Sequence, residues 1–138
     1  MASPAYTSTI RARLRDEVGA IVKQAPLRIA LAYPSPYSVA MSSLGFQRIY
    51  RAIQETPGMC CERAFLPDEA HADEAPLTYE SLRPLASYPI LAFSVAYDLE
   101  VAGLIRMLMG AKIPVLRTER SEHHPFVVAG GPLTFSNP

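Results

Sequence analysis

Apolar residues recur along the chain with two periods, and the switches between them mark out the elements. Over 9–23, Ile10, Leu14, Val18, Ile21 and Val22 fall at helical spacing with arginines and acids between them, which predicts an amphipathic helix that Gly19 weakens. The uncharged run Ile29-Ala30-Leu31-Ala32 predicts a strand buried on both faces. Pro34 and Pro36 stop it near Tyr33, because neither has an N–H for a sheet ladder. A second helix is predicted over 43–55, capped by the side-chain oxygen of Ser42 or Ser43. Its apolar stripe is Leu44, Ile49, Ala52 and Ile53, with Gln47, Arg48 and Arg51 elsewhere. Thr56-Pro57-Gly58 is a turn signal, and MCCERAFL over 59–66 reads as a strand. The charged pair Glu62-Arg63 places that strand at or near a sheet edge.

The polar stretch 67–76 reads as an exposed loop and 77–82 as a short helix stopped by Pro84. PILAFSV over 89–95 is apolar throughout and predicts a central third strand. A helix follows over 99–109, with Val101, Leu104, Ile105 and Leu108 as its buried stripe and Gly110 closing it. Residues 114–116 predict a fourth strand, 117–124 a polar connection, and 126–129 a fifth strand before Gly130-Gly131-Pro132.

This alternation predicts an α/β fold with a parallel sheet and right-handed crossovers. The expected architecture is a flavodoxin-like (Rossmann-like) three-layer sandwich, five strands in the order 2-1-3-4-5, lacking the final helix. Residues 1–27 form a tail and an extra helix, and 28–138 form the domain itself. Without a final helix the fifth strand keeps an uncovered apolar face. That face is expected to meet the rest of a longer chain or a second copy in a homodimer. Ligands of such sheets sit beyond the carboxyl ends of the strands, so the loop 34–43 is the first candidate surface.

Composition narrows the partners. The 138 residues fit one domain, and Lys+Arg 13 balance Asp+Glu 13 with no basic stripe, which argues against nucleic acid. There is neither a long apolar run nor an apolar signal core near Met1, so the chain reads as cytoplasmic with no membrane partner. Cys60 and Cys61 are adjacent and point to opposite faces of a strand, which suits neither a disulfide nor a metal pair. They read as small apolar residues. His71 sits in an acidic loop, and His123 and His124 precede the last strand, so no metal ligand is predicted.

Several segments taken in order carry a family resemblance: RIALAYPSPYSVAMSSLGFQRIY, CERAFLP, TYESLRPL, LMGAKIPVLRTER and VVAGGPLTFSNP. Together they make 28–138 resemble the N-terminal cobalamin (B12)-binding-like domain of B12-type radical SAM proteins. The resemblance implies a corrinoid partner held beside a radical SAM barrel. That barrel, with its [4Fe-4S] cluster and S-adenosylmethionine, would lie outside this chain. On this reading Ser35, Ser42, Ser43 and Ser94 offer hydrogen bonds to the cobalamin tail. Gly130 and Gly131 let backbone approach it, and Tyr37, Met41 and Tyr97 line the ring side. Each has a plain structural role as well: a cap for Ser42 or Ser43, a turn for the glycines, loop packing for Tyr37, Tyr97 and Met41. Asp98 and Glu100 suit the start of the following helix.

The loop after the first strand has no histidine, so it offers cobalt no lower axial ligand. The chain also has no Cys-x3-Cys-x2-Cys motif, so no catalytic residue is assigned and the domain by itself is not expected to be an enzyme. A phospho-acceptor receiver needs acids after the first strand and a lysine after the last, where this chain has Tyr33-Pro34-Ser35 and Gly130-Gly131. An FMN phosphate loop has the hydroxyls of Ser35 and Ser38 but loses donors to the prolines, and G-x-G-x-x-G is absent. The main alternative is a degenerate domain of the same enzymes that binds no corrinoid and only docks.

Overall fold

The computed structural model describes residues 1–136, so the last two residues of the 28–138 unit lie outside the described residues. Its centre is a four-stranded parallel sheet in the order β2-β1-β3-β4. The strands are β1 (Leu27–Tyr33), β2 (Met59–Phe65), β3 (Ile90–Ser94) and β4 (Phe126–Gly130). Alternate residues of β1 feed two layers. Leu31 and Tyr33 join Tyr6, Ile10, Phe46 and Tyr50 on one face, and Ala30 and Ala32 join Met107 and Leu108 on the other.

The sheet has four strands rather than five because the expected fourth strand, 114–116, does not extend. Lys112 turns the chain with φ 58°, and the N–H of Ile113 bonds back to the Leu108 carbonyl at 2.9 Å. The Arg120 guanidinium then donates to the carbonyls of Pro114 at 2.7 Å and Val115 at 2.6 Å. Pro114 has no N–H, and these two carbonyls are occupied, so no ladder forms. The strand expected as fifth becomes β4 and pairs directly with β3. A short helix, Pro132–Ser136, follows it, where none was expected.

Nor does 77–82 form a helix. Leu82 has φ 56°, and the segment runs along the open edge of β2, where the Tyr79 N–H bonds the Arg63 carbonyl at 2.8 Å. The Arg63 N–H in turn meets the Glu80 carboxylate at 3.0 Å. The edge of the sheet is thereby covered.

Three helices flank the sheet: α1 (Pro4–Asp16), α3 (Leu44–Glu55) and α4 (Glu100–Gly110), with a single turn, α2 (Tyr37–Ala40), between β1 and α3. The first helix starts earlier than its apolar period suggested, capped by Ser3 with proline in its first turn, and buries Tyr6 and Ile10. It ends at Asp16; Gly19 takes φ 83°, and Val18 and Val22 are exposed. The buried face of α3 is Phe46, Tyr50 and Gln54, with Ile53 half-buried, while Leu44 and Ile49 face outward. Gln54 tolerates burial because it donates to the Ile21 carbonyl and accepts from the Cys61 N–H, each at 2.9 Å. On α4, Gly103, Met107 and Leu108 are buried, while Val101 and Ile105 stay exposed.

The expected cap of α3 is present: the Phe46 N–H donates to Ser43 Oγ at 3.3 Å, while Ser42 Oγ only donates back to Val39 at 2.6 Å. Ser43→Ala should therefore cost about 1 kcal/mol in a urea melt, and Ser42→Ala close to nothing. Equal losses at the two positions would contradict the cap.

Candidate functional site

The carboxyl ends of the strands do bring the anticipated loops together. Ser94 is in register with Gly130, and Ser35 follows β1 on the neighbouring strand. The space between them is filled by the chain itself. Glu100, the first residue of α4, is buried; its Oε1 accepts the N–H groups of Ala96 at 2.7 Å and Tyr97 at 3.0 Å. Its Oε2 accepts the Ser35 hydroxyl at 3.2 Å. Burial and the neighbouring Glu100 carboxylate push the Tyr33 phenol up to about 12. Pro34 is fully buried against α4, where a Cβ on Gly103 would stand 2.1 Å from the Pro34 carbonyl oxygen. Gly131, at φ 127°, packs on Val95: a Cβ there would meet its carbonyl oxygen at 2.2 Å.

The remaining candidate residues divide clearly. Tyr37 stacks on Tyr79 at 5.3 Å, meets Phe65 edge-on at 5.2 Å and donates its hydroxyl to Glu17 at 2.9 Å. Met41 receives Gln47 Nε2 at 3.3 Å, and Ser42 and Ser43 serve the α3 turn. Ser94, Tyr97 and Gly130 are left on the rim: Tyr97 is exposed, and no atom lies within 4 Å of where a Gly130 Cβ would be. Cavities of about 270, 350, 400 and 360 Å³ open elsewhere, and none is lined by Ser35, Ser94 or Gly130. These four cavities therefore lie away from the rim.

The strongest electrostatic feature lies on β2, at the pair that marked an edge strand. Arg63 is 1% exposed, and its guanidinium sits over the Tyr50 ring at 4.6 Å. Nη1 donates to Glu17 at 2.7 Å and Nε to Glu80 at 2.8 Å, while Nη2 is buried with no partner. Burial pushes the Glu80 carboxyl up to about 7, with Arg63 pulling against it. Neighbouring Glu62 accepts from Arg28 at 2.8 Å, from the Tyr88 hydroxyl at 2.8 Å and from Ser81. Burial works to raise Glu62, but these donors hold it below its ordinary value. An edge assignment was legible in the charges of this strand; their burial depends on segments 17 and 80, which local pattern does not place.

The residues present do not fit an iron–sulfur cluster. The two cysteines are both buried, and burial pushes the Cys61 thiol far up, away from the thiolate a metal needs. Among the described residues no group of three or more His, Cys, Asp or Glu is placed to hold a metal. His71 hydrogen-bonds Thr9 at 3.3 Å and lies against Tyr6; His124 accepts the Ser121 N–H at 2.9 Å. No helix among the described residues is long and apolar enough to cross a membrane.

Comparison with curated proteins and with solved structures gives no match. A family model described as "Radical SAM proteins, N-terminal" matches residues 45–138, well over half of the chain. It takes in α3, the buried Arg63 strand, the covered sheet edge, α4 and β4. The chain therefore belongs to the N-terminal domain family of the radical SAM proteins.

Proposed function

We propose that this domain is a non-catalytic docking module that seats its apolar flanks against the S-adenosylmethionine-cleaving part of its parent enzyme. Family membership implies an iron–sulfur cluster and S-adenosylmethionine in that parent. With two cysteines in this chain, the three thiolates of such a cluster must come from another segment. In the parent such a cluster would supply the reducing chemistry that acts on S-adenosylmethionine, and this domain's residues would contribute position.

The supporting observation is where apolar side chains remain uncovered. Val127 packs toward α4, but on the other face of β4 Phe126 is 69% exposed and Val128 is 38% exposed. Val101, Ile105 and Met109, spaced by four residues, run along the outer side of α4 and are also exposed. Apolar rows on two adjacent elements are costly in water and suit burial against a partner. The occupant that the family chemistry requires is the catalytic part of the same parent. Hydroxyl-radical footprinting of Phe126 and Met109, in the isolated chain and in the parent protein, tests this. Several-fold lower labelling in the parent is expected, and equal labelling in the two forms would remove the docking role.

A corrinoid reading rests on the open rim of Ser94, Tyr97 and Gly130. On that reading cobalamin lies across the rim, without a histidine ligand from the 34–43 loop. Incubation with hydroxocobalamin, removal of free ligand and a visible spectrum separate the two readings. Stoichiometric retention that Gly130→Leu weakens supports the corrinoid; no retained absorbance in chain or parent leaves docking alone.

A further inference from the structure

The two edges of the sheet are treated differently. Beyond β2 the 77–82 segment takes up the edge, with the Tyr79 N–H on the Arg63 carbonyl at 2.8 Å and Glu80 accepting the Arg63 N–H at 3.0 Å. β4 ends the sheet on the other side. Its Phe126 N–H bonds the Pro89 carbonyl at 2.9 Å, and its Gly130 carbonyl accepts the Val95 N–H at 2.8 Å. Peptide groups of a parallel ladder alternate in direction, so 126, 128 and 130 bond to β3, and the N–H and C=O groups of Val127 and Ala129 face outward. Among the described residues no hydrogen bond takes up these four groups. β4 has neither a charged residue nor a proline, and no bulge breaks its register with β3, so the usual protections of an edge strand are missing. Solvent reaches it as well: every residue of β4 but Val127 is exposed.

A strand that bonds all four groups needs an outward pair of its own, and β4 supplies one. With two copies antiparallel about a two-fold axis, Val127 meets Ala129 of the second copy, each exchanging both bonds, and Val128 meets Val128 of the second copy. The neighbouring registers fail. Val127 opposite Val127 sets Ala129 against Pro125 of the second copy, which has no N–H. Ala129 opposite Ala129 sets Val127 against Gly131 of the second copy, which leaves the strand at φ 127° to pack on Val95. The register that succeeds also sets Phe126 across from Gly130 of the second copy. Phe126 is 69% exposed, and no atom lies within 4 Å of where a Gly130 Cβ would be, so each ring would cover the bare glycine opposite it. Like charges are not opposed, because β4 carries none. With the β2 edge covered, a β4 edge cannot add to it, so the pairing closes at two copies and does not grow into a filament.

We propose that this chain forms a two-fold dimer through the β4 edge, joining its sheet to that of a second copy. The docking reading concerns the faces of β4 and α4, and Met109 reports it from α4 and not from the strand, so either can fail alone. The test is sedimentation equilibrium of the full chain from about 5 to about 500 µM, with hydrogen exchange of the Val127 and Ala129 amides at both ends of that range. A small interface of this kind should give a monomer–dimer equilibrium with a Kd of roughly 10–100 µM. Both amides should exchange several-fold more slowly at the high concentration than at the low one. Val128→Lys and Val128→Glu each bring like charges face to face at the two-fold axis, and each should weaken the dimer at least about tenfold. Mixed in equal amounts they should restore it, since opposite charges then meet. Val128 is exposed, so neither substitution enters the core. Ala129→Pro removes an outward N–H, leaves the β3 ladder intact and should weaken the dimer without any change of charge. A chain that stays monomeric throughout, Val128 variants that pair as the original chain does, or a mixture no tighter than either variant would overturn the proposal. So would slow exchange of both amides in a monomeric parent protein, which would give the edge to another segment of that chain.

Discussion

Arg63→Met should destabilise the chain by about 3–5 kcal/mol, read as a fall in the urea midpoint. The side chain removed is 1% exposed and stands between two carboxylates, Glu17 and Glu80, whose side chains are 8% and 2% exposed. Methionine fills much of the volume but leaves both acids buried and facing each other with no cation. It also removes the cation held over Tyr50. Against a total stability of about 5–15 kcal/mol for a domain, such a loss leaves a large unfolded fraction. The double variant Arg63→Met with Glu80→Gln should recover part of the loss, because one of the two stranded charges is then gone. Should the single variant not fold, Glu80→Gln alone still reads the pair, since it keeps an acceptor for the Arg63 N–H but loses the charge. Losses below about 1 kcal/mol for both single variants would mean that the charges are solvated, and that the covered edge of β2 is not formed as described.

The same arginine marks the limit of what sequence pattern can say. Apolar runs located β1, β2 and β3 to within a residue or two, and the serine before α3 fixed its start, because these signals are local. Which stripe of a helix turns inward is not local. Positions 46, 50 and 54 and positions 101 and 105 are all at helical spacing, and only the sheet decides between competing faces. It chose Phe46, Tyr50 and Gln54 because the amide of Gln54 bridges Ile21 and Cys61, and it left Val101 and Ile105 outside. The lost strand at 114–116 has a similar cause: its apolar residues fit a strand, but a side chain several positions later occupies its carbonyls. At the rim, the hydroxyl and glycine content of the loops was visible. That Glu100 would fold back to satisfy Ser35, Ala96 and Tyr97 was not, because an acid at a helix start usually serves its own helix.

Whether that rim is truly filled can be tested with one methyl group, because two rules then predict opposite signs. Helix propensity alone makes Gly103→Ala stabilising by up to about 1 kcal/mol. The packing makes it destabilising, since the new Cβ would stand 2.1 Å from the Pro34 carbonyl oxygen and 3.1 Å from its carbon. Those are backbone atoms of a fully buried residue, in a loop that the Ser35–Glu100 hydrogen bond ties to the start of the same helix. Neither side can move away without opening that contact, so a net loss of about 1–3 kcal/mol is expected, the usual range for an overfilled site. Gly45 is the control: it lies in α3 with nothing within 4 Å of an added Cβ, and Gly45→Ala should hold or raise the urea midpoint. If the two substitutions shift the midpoint alike, α4 does not press on the loop after β1.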